Sequence, residues 1–123
     1  TALWNPRLVR NNPLLLEIES YLQTIAPNIK RISSGLSGIT ETLSKRLNES
    51  PYFENTTYLE GHHEVIMKPD RYINVWKSVN DVRVQLGPKK FAKFLDFVEK
   101  RLLNVSKIEA TYLTRAWTAS RSD

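Results

Sequence analysis

The chain has 123 residues with a net charge of +5, 41% of them hydrophobic and 25% charged. A chain of this length makes one domain able to bury about two thirds of its unfolded surface, and its composition excludes a disordered or fibrous chain. No run approaches the ~20 apolar residues that span a bilayer, and the absence of Cys excludes disulfides, thiolate metal ligands and cysteine nucleophiles.

The start, Thr1-Ala2-Leu3-Trp4, carries neither Met nor a basic-then-apolar targeting pattern, so the sequence reads as an excised or processed portion of a cytoplasmic protein. Ala2 to Trp4 form a short apolar strand that Asn5-Pro6 closes. Asn12-Pro13 is a helix start, with Asn12 as N-cap and Pro13 at the first position. Leu15, Ile18, Leu22 and Ile25 then recur at helical spacing until Ala26-Pro27 ends the run. From Asn28 to Leu47 the rhythm weakens. The serines and glycines of 33–38 predict a broken turn there, followed by a firmer helix from about Thr40 to Leu47.

Asn48 to Thr56 is polar and predicts a loop. The period then becomes two: Leu59, Gly61, His63, Val65 and Met67 alternate with Tyr58, Glu60, His62 and Glu64, as in a half-buried strand. A helix starts at Lys68-Pro69-Asp70, with a stripe of Tyr72, Val75, Trp76, Val79 and Val82 or Arg83. Gly87-Pro88 breaks it and opens another, whose Phe91, Phe94, Leu95, Val98 and Leu102 make the cleanest amphipathic face. Ile108, Ala110, Tyr112 and Thr114 alternate with Glu109, Thr111, Leu113 and Arg115 in a closing strand. The order predicts a mixed α/β chain (α+β as an isolated portion) with a small three-stranded sheet, four to five helices and one exposed sheet edge.

Candidate chemistry is sparse. His62 and His63 point to opposite faces of a strand, so they cannot chelate one ion together, and no metal site is expected. His63 reads either as a hydrogen-bonded, half-buried residue or as an acid/base lining a pocket. Tyr72, Trp76 and Asn80 lie one helical turn apart. They read either as core or as a lid helix offering an aromatic wall and an amide to a small substrate. Trp4-Asn5, at the end of a short strand, sits where open α/β sheets present ligand-binding loops. The sequons at Asn48, Asn55 and Asn104 read as incidental.

Taken in order, these segments resemble the C-terminal portion of a class I S-adenosylmethionine-dependent methyltransferase acting on a small molecule. Ala2-Leu3-Trp4-Asn5 is similar to that family's fifth strand and Tyr58–Met67 to its sixth. Tyr72 with Trp76-Lys77-Ser78 is similar to its aromatic "W-x-S" element. Pro88–Leu103 resembles its long helix, and Ile108–Trp117 its last strand, which completes the sheet between the fifth and the sixth. The resemblance implies that Trp4 and Asn5 face the S-adenosylmethionine site and that Trp76, Tyr72, Asn80 and His63 line the pocket for a small-molecule methyl acceptor. The family's glycine-rich turn and acidic residue are missing. An N-terminal half is therefore implied as partner, without which this portion is inactive. Two other readings stand beside it. One is a basic helical module binding nucleic acid or a protein, although the interleaved charges of the 88–103 helix favour a solvated face. The other is a packing domain that forms a homodimer through its exposed sheet edge. No membrane partner is expected.

Overall fold

A computed structural model describes residues 1–31 and 40–122. Asn12 initiates the first helix as its sequence predicts: Oδ1 accepts from the Leu14 amide at 3.0 Å, and Pro13 fills the first position. Its Nδ2 also donates to the Glu109 carbonyl at 2.8 Å, which fixes the helix start to the last strand. The elements are β1 (Ala2–Trp4), a 3₁₀ turn (Val9–Asn11), α1 (Pro13–Ile25), α2 (Leu43–Asn48), β2 (Phe53–Met67), α3 (Pro69–Ser78), α4 (Asn80–Leu102) and β3 (Ile108–Arg121). The broken turn expected at 33–38 lies outside the described residues.

The sheet has the order β1-β3-β2, and β3 runs antiparallel to both neighbours. Ala2 and Trp4 face Trp117 and Arg115 across one ladder; Tyr58 and Met67 face Trp117 and Ile108 across the other. Because side chains alternate along a strand, Ile108, Ala110 and Tyr112 share one face with His63, Val65 and Met67. Leu113, Arg115 and Trp117 share the other with Tyr58 and Glu60. The first face carries the core. Met67, Ile108 and Ala110 pack with Leu15, Ile18 and Leu22 of α1, Tyr72 and Trp76 of α3, and Phe94, Val98 and Leu102 of α4. Trp76 meets Phe94 edge-on, ring centroids 4.8 Å apart, and Tyr21 stacks on Phe97 at 3.8 Å.

Four boundaries differ from the sequence reading. First, β2 begins at Phe53, inside the expected loop, because β3 continues to Arg121 and supplies partners for Phe53 and Glu54. The register then shifts before Thr57, around Asn55 at φ 54°. Second, β2 is exposed along most of its length apart from Thr56 and its carboxyl end: Leu59 is 68% exposed, and His63 is exposed as well. Third, the helix expected from about Thr40 starts at Leu43. Fourth, the helix expected to run to the Gly87-Pro88 break ends at Ser78, whose Oγ donates to the Val75 carbonyl. The next starts after an extended Val79, with Asp81 Oδ1 accepting from the Val82 amide. The stripe survives this interruption, with Tyr72, Trp76, Val82 and Leu86 all buried. The predicted Gly87-Pro88 break is present: within α4 two helical segments meet across a kink at Gly87, whose φ 68°, ψ 172° are not helical.

Candidate functional site

The carboxyl end of β1 meets the helices through a short continuation of the ladder. The Pro6 carbonyl accepts from the Leu113 amide at 3.0 Å and the Thr111 carbonyl from Leu8 at 2.8 Å, with Arg7 bridged to Tyr112 between them. The Arg7 guanidinium carbon lies 5.3 Å from the centroid of the Tyr72 ring and 5.6 Å from that of Trp76. Arg31, following α1, lies 5.0 Å from the Trp76 ring. It donates through Nη1 to Glu19 Oε2 at 2.8 Å, in a pair whose side chains are 7% and 4% exposed. Two cations therefore flank one aromatic ring, an arrangement worth about 2 kcal/mol or more per contact when desolvated.

Burial raises the Glu19 carboxyl above its ordinary range, while Arg31 and then Arg7 pull it back down; nearby Asp81 adds to the rise. Burial likewise raises the Tyr72 phenol, with Arg7 the largest opposing influence. Arg7 Nη1, Arg31 Nε and Trp76 Nε1 are buried and have no hydrogen-bond partner among the described residues. A buried donor left unpaired costs about 1–3 kcal/mol, and native structures pair the great majority of them. The cluster has donors to offer and one carboxylate already engaged by Arg31. Its chemistry is therefore that of holding an oxygen acceptor.

The opposite sheet face carries a second polar cluster. Trp117 Nε1 donates to Ser44 Oγ at 2.8 Å and Arg115 Nη1 to Thr40 Oγ1 at 2.7 Å. The Tyr58 hydroxyl donates to Glu60, and Glu60 Oε2 lies 3.8 Å from Arg115 Nε. The bonds to Ser44 and Thr40 fasten α2 and Thr40 to the sheet.

The structure brings together two of the four residues expected to line a pocket, Tyr72 and Trp76, and buries both. Asn80 stands on the surface at the start of α4, where its Oδ1 accepts from Arg83 at 3.2 Å. His63 is exposed, stacked on Tyr112 at 5.4 Å. Trp4 lies on the α2 face by register, and Asn5 Oδ1 accepts from Thr114 Oγ1 at 2.9 Å. Arg7, Glu19 and Arg31 were not anticipated. A signal did exist for Glu19, since Leu15, Ile18, Glu19 and Leu22 fall at i, i+3, i+4 and i+7, placing a carboxylate on the buried stripe. An open apolar groove of about 480 Å³ lies at the α4 kink, lined by Val84, Gly87, Pro88, Phe91 and Leu95 among others. None of the expected site residues lines it.

Among the described residues no group of three or more His, Asp or Glu is placed to hold a metal, and no helix is long and apolar enough to cross a membrane. Comparison with protein-family models, with curated proteins and with solved structures finds no match.

Proposed function

We propose that this chain is the C-terminal, substrate-side portion of a class I S-adenosylmethionine-dependent methyltransferase acting on a small molecule. The observation that carries the reading is the strand order β1-β3-β2. The last strand in sequence lies between the first and the second, as the family's closing strand lies between its fifth and sixth. Placing Arg7, Tyr72 and Trp76 just beyond the carboxyl end of β1 accords with the general rule that open α/β sheets bind ligands outside that end.

Among the described residues none fits as a cradle for the cofactor. Gly61 lies within β2 and Gly87 at a kink within α4, so neither opens a strand-to-helix turn that could approach a nucleotide. Asn5 is engaged by Thr114, and Trp4 lies on the sheet face opposite Arg7. Cofactor binding is therefore assigned to an N-terminal half, and this chain supplies positioning of the acceptor. Holding two reactants in line accounts for much of the acceleration in such reactions.

Calorimetric titration with S-adenosylhomocysteine tests the proposal. This chain alone should stay silent, whereas a native chain that includes the preceding sequence should bind saturably. Silence from the longer chain would overturn the methyltransferase reading. The basic-module reading draws less support, because Lys100 pairs with Asp96 at 2.7 Å and Arg101 with Glu17 at 2.5 Å. Those pairs lower the positive field that counterion release from nucleic acid would require.

A further inference from the structure

We propose that Arg7, Arg31 and the indole N–H of Trp76 form a binding site for a carboxylate carried by the methyl acceptor; the site is defined by these residues, and its role rests on the methyltransferase reading. Two buried guanidinium donors, Arg7 Nη1 and Arg31 Nε, lack partners among the described residues, the Trp76 indole has only the Tyr72 hydroxyl beside it, and both guanidinium groups lie within 6 Å of the Trp76 ring. The proximity makes them a set. Each is held from outside the set: Arg7 by the continued β1–β3 ladder, Arg31 by Glu19, and Trp76 by its edge-on contact with Phe94. The Arg31 and Trp76 side chains and the Arg7 backbone are therefore set before any ligand arrives, which lowers the ordering cost of binding.

The chemistry of the set selects its partner. Guanidinium and indole groups donate and cannot accept, so the complementary group must be rich in acceptors. A planar carboxylate matches the guanidinium fork and can take a further bond from an indole. Charge narrows the choice. Glu19 already opposes the two arginines, and Asp81 adds negative potential nearby. What remains suits one negative charge and disfavours a phosphate carrying almost two.

The experiment is a titration of the ¹⁵N-labelled chain, read at the three tryptophan indole resonances, with Trp76 assigned from a Trp76→Phe variant. The probe is sodium benzoate, compared with sodium phosphate and sodium chloride at equal ionic strength. Benzoate should move the Trp76 indole saturably while the Trp117 indole, bonded to Ser44, stays still. Arg7→Gln should weaken this response at least tenfold, and Arg83→Gln should leave it unchanged. No movement, or equal movement with phosphate or chloride, would overturn the proposal, as would an unchanged response in Arg7→Gln. If Arg7→Gln fails to fold, the comparison of the three salts on the unaltered chain decides. The cofactor titration is independent of this outcome. Benzoate binding with no cofactor binding by the longer chain would keep the site and remove the methyltransferase role; the reverse would remove the site alone.

Discussion

At Glu19 two effects oppose one another: burial disfavours the charged carboxylate, and Arg31 with Arg7 favours it. Burial prevails, so the folded-state pKa lies above its usual 4.5. Between those two values the folded protein holds more protons than the unfolded chain, and stability falls as pH rises through that window. Glu17 and Glu109 behave oppositely. Hydrogen bonds from Arg101 and Lys107 lower their pKa values, and the stability they add is lost as pH falls below about 4.5. The difference in urea midpoint between the unaltered chain and Glu19→Gln should therefore shift against the unaltered chain as pH rises above 4.5. A difference that stays flat across this range would show that burial does not prevail at Glu19. The site itself was only partly legible in the sequence. Tyr72 and Trp76 announce themselves by helical spacing, whereas Arg7 and Arg31 lie in irregular segments where no period marks the inward side. Only the ladder past Pro6 and the pairing with Glu19 turn them toward Trp76.

Among the elements, α4 shows best what local rules can and cannot specify. Its stripe was legible because Phe94, Val98 and Leu102 keep the helical rhythm, and all three are buried. Phe94→Ala should cost about 3–5 kcal/mol, read as a lowered denaturation midpoint, since the ring fills the space against Trp76 and Tyr21. Gly87 presents a separate case. A Cβ there would meet nothing within 4 Å, but φ 68° with ψ 172° is a region that side-chain-bearing residues scarcely enter. Gly87→Ala should therefore destabilise by about 1–3 kcal/mol through backbone strain alone. Gly61→Ala, equally uncrowded and without a positive φ, should change stability far less. Equal losses at the two glycines would show that the kink is not maintained by Gly87. The strand ends were less legible than the helices. Phe53 and Glu54 are strand only because β3 runs on to Arg121, a partnership that no window around residue 53 contains.

For the whole molecule, the outstanding feature is an apolar row on the core-bearing face of the sheet, beyond the reach of the helices. Leu3 and Leu59 both lie opposite Ala116 in the two ladders, and they are 71% and 68% exposed. Side by side across β3, they form a surface that the helices after β1 and β2 leave uncovered. If an N-terminal half packs on the β1 side, this row is an apolar surface for it to cover. Burying a leucine contributes about 1.5–3 kcal/mol, whereas a substitution at a surface position usually changes stability by less than about 0.5 kcal/mol. Leu3→Ser and Leu59→Ser should thus be nearly neutral in this chain and costly in a longer native chain that includes the preceding sequence. Urea denaturation of both lengths measures the contrast. A small effect in both would mean that the row stays uncovered, and that the preceding half, if it docks, does so along the free edge of β1 without reaching this face.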